Sequence, residues 1–211
     1  MTYLAARLFN YLQGADFYRS LHQTAANLVQ AAPGSTWLDA GCGPGLLARI
    51  AAERGFTTLG IDLDAAMIRL AQRNDSAGKA HYATRSLAEA AGPAALFDVV
   101  SASSLLVTSE QPVQMLQELK QRVRPGGKLL LVEAAPALTL LRSIRLLLRQ
   151  PAGKRGCMLL LWAAVRSGKT LPEAFFKDDR WKPSCTSVLD GMVHVWLLER
   201  PAGLFAGTSN R

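Results

Sequence analysis

The stretch that decides the fold is residues 37–45, Trp-Leu-Asp-Ala-Gly-Cys-Gly-Pro-Gly, in which an apolar strand runs directly into a glycine-rich turn. An amphipathic segment, Leu46 to Arg54, follows at once and predicts a helix. Gly41 and Gly43 permit a tight turn and a close approach of the backbone to a ligand, and Gly45 permits close packing of strand and helix. Because strand, turn and helix come in this order, we interpret the stretch as a nucleotide-cofactor site rather than a simple connection.

Around this stretch, short apolar runs alternate with longer amphipathic runs, which is typical of βαβ units and a parallel sheet covered by helices. The sequence therefore predicts an α/β fold. The expected helices begin near Pro44, Asp64 and Gln111, and the expected strands are Thr36–Ala40, Thr57–Ile61, Ala80–Thr84, Phe97–Ala102 and Lys128–Glu133.

Helical segments flank this core. Leu4–Ala31 predicts helices with a break near Gly14, and Ala137–Lys169 predicts helices interrupted near Pro151 and Gly153. Cys185–Leu189 and Met192–Glu199 predict two strands that close the sheet antiparallel, joined by a hairpin turn at Asp190-Gly191. We expect a single domain over residues 1–211. Its predicted parts are an N-terminal helical cap (1–33), a cofactor-binding core (34–135), a helical substrate-specificity insertion (136–183) and a closing hairpin (184–201).

The composition narrows the class of protein. A formal net charge of +8 favours acidic partners by long-range attraction but identifies none of them, and the densest basic stretch is Arg142–Arg166. The segment Met1–Gln30 lacks the continuous apolar core of a signal peptide, and the most apolar later run, Cys157–Val165, is too short to span a bilayer.

The three cysteines are odd in number and widely spaced, which fits neither a disulfide framework nor a metal-binding pair. We therefore predict no metal site, a reducing compartment and a cytoplasmic location. The cysteines are Cys42, Cys157 and Cys185.

The spacing of the glycines distinguishes between nucleotide cofactors. A dinucleotide fingerprint requires G-x-G-x-x-G, whereas here the third glycine comes one position early. A second strand ends in Asp62, whose carboxylate could accept hydrogen bonds from both ribose hydroxyls and would repel a 2′-phosphate. Both observations count against NAD and NADP. The alternative for Asp62 is a turn or N-cap residue, although Asp64 is the better N-cap for the helix Ala65–Arg73.

With Asp39 ahead of it, the D-x-G-x-G-x-G pattern resembles the first motif of class I S-adenosylmethionine (SAM) methyltransferases. An acidic side chain there favours a cofactor with sulfonium and ammonium charges. Phe97–Ala102 looks like the fourth strand of that family, and Arg124–Val132, with its P-G-G, looks like the turn into the fifth. The resemblance, to the broad group that includes ubiquinone and menaquinone biosynthesis enzymes, covers Thr36–Glu133.

The resemblance implies a Rossmann-like seven-stranded sheet in the order 3-2-1-4-5-7-6, with strand 7 antiparallel and helices on both faces. It also implies SAM as the cofactor, converted to S-adenosylhomocysteine (SAH). Ser86 stands where the family commonly has an acid for the adenine amino group, so a hydroxyl would substitute there. The implied cofactor-binding residues are Asp39, Ala40, Gly41, Cys42, Gly43, Gly45, Asp62, Leu63, Ser86, Leu87 and Ser101.

Catalytic residues do not transfer from the resemblance, because Val107 and Thr108 stand where many relatives have a His pair. Methyl transfer from a sulfonium is an in-line displacement that depends mainly on alignment. For an acceptor that must lose a proton, the candidate bases are His22, His81 and His194. We expect His22, in the cap, to be the base, with Tyr18 and Tyr11 as orienting groups; the alternative is an ordinary core or surface histidine.

The segment after the fifth strand is expected to set substrate specificity, because ligands enter at the carboxyl edge of an open sheet. Arg142, Arg145 and Arg149 recur at helical spacing beside leucines, which predicts a basic stripe next to an apolar one. We expect the segment to line a pocket for an apolar or aromatic acceptor, either neutral or anionic, or to dock on a membrane surface; ordinary core packing is the alternative. The expected substrate residues are Tyr11, Met158 and Trp162, with Phe175 beside them.

The favoured function is SAM-dependent methylation of a small molecule by a monomer or homodimer. One rival is a nucleic-acid methyltransferase, against which stands the absence of an N-P-P-Y, D-P-P-Y or Pro-Cys motif. Another is a non-catalytic SAM-binding partner subunit, which the altered adenine loop allows. We expect no nucleic-acid partner.

Overall fold

The computed structural model describes residues 3–30, 32, 34–90, 95–149 and 153–202. Short 3-10 helices lie at Leu106–Thr108 and Glu173–Phe176. The α-helices are α1 (Tyr3–Gln13), α2 (Asp16–Asn27), α3 (Leu46–Glu53), α4 (Ala65–Asn74), α5 (Pro112–Gln121), α6 (Leu140–Arg149) and α7 (Met158–Arg166). The strands are β1 (Thr36–Ala40), β2 (Thr57–Asp62), β3 (His81–Thr84), β4 (Phe97–Ser103), β5 (Val123–Ala134), β6 (Lys182–Val188) and β7 (Val193–Glu199).

These strands form one seven-stranded sheet in the order β3-β2-β1-β4-β5-β7-β6. The first five strands pair in parallel, and β7 pairs antiparallel with both β5 and β6. The predicted fold class, strand order and orientation of strand 7 are confirmed. The carboxyl ends of β1, β2 and β4 therefore lie side by side at one edge of the sheet, where the predicted turn and ribose carboxylate also meet.

Several predicted boundaries are wrong. The helix after the glycine turn begins at Leu46, as the amphipathic segment predicted and two residues after Pro44, because Gly45 is left-handed (φ 79°) and still belongs to the turn. Strand β5 begins at Val123, ahead of the P-G-G turn, and β6 begins three residues earlier than predicted. The hairpin loop spans 189–192 rather than two residues, since Leu189 and Asp190 both adopt positive φ, which is uncommon in residues other than glycine.

The sheet separates two apolar layers, and side chains alternate between them along each strand, as the two-residue period of a strand requires. In β5, Leu130 and Val132 face the layer that contains α2, α3 and α7, whereas Leu129 and Leu131 face the layer that contains α5. All four side chains are at most 2% exposed. The central strands are thus covered on both faces, which holds their carboxyl ends in fixed positions.

The N-terminal helices pack on the core and contact the segment after β5. The helices α1 and α2 are separated at Gly14, and α2 packs against α3. Asp16 accepts a hydrogen bond from the Lys154 backbone N–H at 2.6 Å and donates its own N–H to the Lys154 carbonyl at 3.1 Å. Ala31 and Pro151, which the sequence analysis placed at helix boundaries, lie outside the described residues.

Helix α6 carries two exposed stripes. At about 100° per residue, Leu141, Ile144 and Leu148 fall on one stripe, and Arg142, Arg145 and Arg149 fall on the next, while Ser143 faces inward. Leu148 is 81% exposed. Within the described ranges, no helix combines the length and apolar character that a bilayer crossing requires.

The stability of the sheet should depend on its inner strands, of which β5 is one. We expect Leu130→Ala, which removes a fully buried side chain from β5, to lower the free energy of unfolding by about 3 kcal/mol. The matched change Leu148→Ala, on the exposed face of α6, should alter it by less than about 0.5 kcal/mol. Urea unfolding followed by circular dichroism measures both, and equal effects would contradict the two-layer core.

Candidate cofactor and acceptor site

The glycine turn lies at the carboxyl end of β1, and its three glycines all adopt positive φ: 66° at Gly41, 51° at Gly43 and 79° at Gly45. A Cβ on Gly41 would lie 2.9 Å from Leu105 Cδ1, and a Cβ on Gly45 would lie 2.8 Å from Tyr82 Cε1. Both the conformation and the close contacts therefore require glycine. The turn leaves backbone exposed at the sheet edge and passes into α3.

Asp62, the last residue of β2, holds this turn. Its Oδ2 accepts a hydrogen bond from the Gly43 backbone N–H at 2.9 Å, and its Oδ1 accepts one from the Asp64 N–H at 2.9 Å. The side chain is half-buried, and each carboxylate oxygen has a further lone pair. Asp62 can therefore support the turn and still accept hydrogen bonds from a ligand.

A cavity of about 310 Å³ opens at the carboxyl ends of β1, β2 and β4, within the size range of small-ligand sites. The structure brings seven of the predicted cofactor residues together here: Ala40, Gly41, Gly43, Asp62, Leu63, Ser86 and Leu87. The other lining residues, which sequence reasoning missed or gave no such role, are Phe9, Ile61, Met67, Arg85, Ser103, Ser104, Leu105, Thr108, Met115 and Arg166.

The remaining predicted cofactor residues, Asp39, Cys42, Gly45 and Ser101, do not line the cavity. Asp39 is 2% exposed and accepts hydrogen bonds from the Ser101 hydroxyl at 2.7 Å and from the Ala48 backbone N–H in the first turn of α3. Burial raises the pKa of Asp39 to about 7. In turn, Ser101 accepts a hydrogen bond from Trp37 Nε1 at 2.8 Å. Asp39 and Ser101 thus support the turn from beneath, and the structure places no atom of theirs at the cavity surface.

The loop after β3 supplies an acid that the sequence analysis did not single out. Ser86 donates hydrogen bonds from its hydroxyl and its backbone N–H to Glu89 Oε2, at 2.7 Å and 3.0 Å. These hydrogen bonds hold the pKa of Glu89 below its ordinary value. The carboxylate missing from position 86 is therefore present in the same loop, three residues later. Only the S-x-x-E spacing in the sequence could have indicated it.

Two predicted catalytic residues, His22 and Tyr18, are buried behind the cavity. His22 Nδ1 lies 2.8 Å from the Tyr18 carbonyl oxygen, which only accepts, so Nδ1 carries the proton. Nε2 then accepts the hydrogen bond from the Ser103 hydroxyl, at 3.0 Å. Because Ser103 lines the cavity and His22 is 2% exposed, His22 reaches a ligand only through Ser103. The other candidate bases, His81 and His194, do not line this cavity; His81 is exposed at the start of β3.

The titratable side chains around Ser103 are held neutral. Burial lowers the pKa of His22 to about 4 and raises the pKa of Tyr18 to about 12. Burial also raises the pKa of Glu133, near the end of β5, to about 8. Its Oε1 accepts a hydrogen bond from the Leu106 backbone N–H at 3.4 Å, and its Oε2 has no partner within the described part of the chain.

The three predicted substrate residues lie away from the cavity. Tyr11 is exposed, with the Arg155 guanidinium 4.0 Å above its ring. Met158 and Trp162 belong to the buried face of α7, and Trp162 packs edge-on against Tyr18 at 6.3 Å between ring centroids. Trp162 therefore serves the core, and α7 reaches the cavity instead through Arg166, one turn further along. Met158 and Trp162 are four residues apart, so they fall on the same face of α7, and that face is buried in the core.

Together the turn, the Asp62 carboxylate and the cavity define a Rossmann-like α/β protein with a ligand site at the carboxyl edge of its sheet. The chain belongs to the methyltransferase domain family, whose model matches residues 9–169. The match covers α2 to α7, so it includes every strand that contributes to the cavity.

Curated relatives share parts of this chain. The ubiquinone biosynthesis O-methyltransferase of Leptothrix cholodnii is 35% identical over 94 residues, which cover 43% of this chain and 40% of the relative. A malonyl-[acyl-carrier protein] O-methyltransferase of Serratia marcescens is 29% identical over 121 residues, which cover 57% of this chain and 47% of the relative. The chain therefore spans less than half the length of these two relatives.

Solved structures share the fold over most of this chain. Magnesium protoporphyrin IX methyltransferase from Synechocystis, with bound SAH, superposes with a TM-score of 0.64 at 18% identity, over 93% of this chain and 94% of that one. The plantazolicin methyltransferase in complex with SAH has a TM-score of 0.64 at 14% identity, over 92% of this chain and 89% of that one. At these identities the likeness concerns the fold.

The burial of neutral His22 makes stability depend on pH. The pKa of His22 is about 4 in the folded protein and 6.5 ordinarily, so the unfolded chain binds more protons between these values. The free energy of unfolding should therefore fall as the pH is lowered from 6.5 towards 4, by about 1.4 kcal/mol per pH unit from this residue. Glutamine does not titrate, so we expect the free energy of unfolding of His22→Gln to lack this contribution to its pH dependence.

Urea unfolding of the wild type, His22→Gln and the exposed control His81→Gln, measured from pH 7 down to pH 5, tests this expectation. The control should follow the wild type, because His81 is exposed in the folded chain. Other buried acids are common to all three proteins and cancel in the comparison. Parallel profiles for the wild type and His22→Gln would show that His22 is not held neutral.

Proposed function

We propose that the protein is a SAM-dependent methyltransferase that transfers the methyl group to a small molecule. The observation that carries this proposal is that the glycine turn of β1 and the Asp62 carboxylate of β2 line one cavity and are hydrogen-bonded to each other. Solved structures with the same fold contain bound SAM or SAH. In this proposal the turn takes the methionine portion of SAM, and Asp62 takes the ribose hydroxyls.

The adenine would lie in the loop after β3. Leu87 is buried at the cavity wall and provides apolar cover, while Ser86 and the Glu89 carboxylate provide polar partners for the exocyclic amine. The carboxylates of Asp62 and Glu89 and the guanidinium of Arg85 therefore all lie at or near this end of the site. A sulfonium and an ammonium group are both favoured by nearby carboxylates.

The opposite end of the cavity, at Ser103 and Ser104, is then left for the acceptor. Catalysis would rest mainly on alignment of the acceptor atom with the methyl carbon and sulfur, at about 3 Å. Phe9 of α1 lies against the turn, where a Cβ on Gly43 would be 3.0 Å from its ring. The N-terminal helices would thus exclude water from the transferring methyl group.

The role of Asp62 predicts a specific loss of affinity. We expect Asp62→Ala to weaken SAH binding at least about tenfold, because charge-assisted hydrogen bonds to the ribose are lost. The matched change Asp179→Ala, at an exposed aspartate, should have no effect. Isothermal titration calorimetry measures both variants.

A second ligand distinguishes the loss of a direct contact between Asp62 and the ribose from a distortion of the glycine turn. Binding of the 2′-deoxy analogue of SAH should be weakened in the wild type but no further weakened in Asp62→Ala, since the partner of the 2′-hydroxyl is already absent. An analogue penalty of the same size in both proteins would contradict the ribose contact. Failure of the wild type to bind SAH would contradict the proposed function itself.

The two rival functions predict different products. Incubation with SAM labelled in its methyl group, a metabolite extract and an RNA fraction should place the label in small molecules. Label in RNA would favour the nucleic-acid methyltransferase, and SAH binding without any transfer would favour the non-catalytic partner subunit.

We further propose that α6 contacts an anionic membrane surface, from which an apolar acceptor could be taken up. Its exposed leucine and arginine stripes are adjacent, so apolar side chains can enter the headgroup region while the guanidinium groups remain near phosphate. Helix α6 follows β5 at the edge of the sheet that holds the cavity and packs against α7.

Vesicle binding tests this contact. We expect co-sedimentation with phosphatidylserine-containing vesicles, reduced at least about tenfold in the double variant Leu141→Ser/Leu148→Ser because two inserted side chains are lost. Val113→Ser, at an apolar residue 63% exposed on α5, is the matched control. Absence of vesicle binding by the wild type at low salt would contradict the proposal.

A further inference from the structure

Arg166 brings a positive charge to the acceptor end of the cavity. It is the last residue of α7, is half-buried and lines the cavity together with Ser103 and Ser104. Among the described residues, its guanidinium has neither a hydrogen-bond partner nor an ion pair. A guanidinium is always ionised and offers five N–H donors in a planar fork, so Arg166 can bind an anionic group of a ligand.

Titratable side chains of two other elements interact with this charge. Tyr18 of α2 and Glu133 of β5 both lie close enough to Arg166 to interact with it electrostatically, and burial raises the pKa of Tyr18 to about 12 and that of Glu133 to about 8. Asp62 lines the same cavity but is hydrogen-bonded to two amides of the cofactor turn. The Arg166 guanidinium is thus a cation that lines the acceptor end of the cavity.

Ser104 adds a donor at the same place. Its φ of 53° is uncommon for serine, and such backbone conformations concentrate at ligand sites. Its backbone N–H donates to the Val132 carbonyl oxygen at 2.8 Å, while the hydroxyl is left at the cavity. A guanidinium and a hydroxyl at one end of an otherwise apolar acceptor region form a suitable partner set for a carboxylate.

We propose that the methyl acceptor is an apolar molecule with a carboxylate, that Arg166 and Ser104 bind this carboxylate, and that the product is its methyl ester. This inference rests on the proposed function. A lone pair of one carboxylate oxygen forms the new C–O bond, and the S–CH₃ bond breaks with its electron pair remaining on sulfur. The sulfonium and the carboxylate lose their opposite charges together, and no proton is released.

The chemistry of the competing acceptor explains why a carboxylate is favoured. A hydroxyl acceptor must lose a proton, which here would pass through the Ser103 hydroxyl to His22 Nε2. Burial lowers the pKa of His22 to about 4 and so makes it a weak base. A carboxylic acid, with an ordinary pKa near 4, is already ionised at neutral pH and needs no base.

The stability of the product to alkali distinguishes the two acceptors. Wild-type protein is incubated with SAM labelled in its methyl group and a metabolite extract, and the product is then treated with mild alkali. A methyl ester releases its label as volatile methanol, whereas a methyl ether or methylamine retains it. Alkali-labile label is the expected result, and alkali-stable label would overturn the inference while leaving the proposed function intact.

Arg166→Gln should reduce the alkali-labile label about 10- to 100-fold, the loss expected for a charge-assisted pair of hydrogen bonds. Arg166→Lys should recover part of the activity, because it keeps the charge without the planar fork. Arg69→Gln makes the same charge change at an exposed residue of α4 and should behave as the wild type. SAH affinity should be unchanged in all three variants.

Direct binding gives a readout that does not depend on turnover. In SAH-loaded protein, phenylacetate should bind more tightly than its neutral amide, phenylacetamide, by about tenfold, and Arg166→Gln should remove the difference. Equal binding of the two probes, or binding of neither, would overturn the inference. If the wild type bound no SAH, or transferred no label at all, the proposed function itself would be contradicted.

Discussion

The hydrogen bond between the Gly43 backbone N–H and the Asp62 carboxylate is the interaction on which the site depends. It joins the turn after β1 to the tip of β2, two elements that are neighbours only because the strands pair in parallel with their ends aligned. From beneath, the buried Asp39 carboxylate binds Ser101 and the start of α3. The turn is thus held from two directions before any ligand arrives, which reduces the ordering that binding must produce.

The two ends of the cavity differ in their titratable side chains. At the proposed cofactor end, Asp62 and Glu89 accept hydrogen bonds from backbone and hydroxyl donors. At the other end, burial favours the neutral forms of His22, Tyr18 and Glu133, and the Arg166 guanidinium lines the cavity. The two ends therefore offer different groups to a ligand.

The division between fold and acceptor site also follows from the architecture. The fold is shared with solved methyltransferases at 14–18% identity, which indicates that it tolerates extensive substitution. The proposed acceptor end lies outside the glycine motif, at Ser103 of β4 and Arg166 of α7, with His22 of α2 hydrogen-bonded to Ser103. Specificity can therefore change through these elements while the core of the sheet is retained.

The sequence by itself determined the α/β class, the strand order through its family resemblance, and seven residues, predicted to bind a cofactor, that line one cavity. These follow from local patterns, because alternation, glycine positions and an acid at a strand end are written in consecutive residues. Tertiary structure alone decided that Asp39 and Ser101 lie beneath the turn and that Met158 and Trp162 belong to the core. It also decided that Ser103 and Arg166 line the cavity and that Glu89 is hydrogen-bonded to Ser86. The physical reason is that burial, helix rotation and contacts between distant residues depend on how elements pack, and no local pattern records that packing.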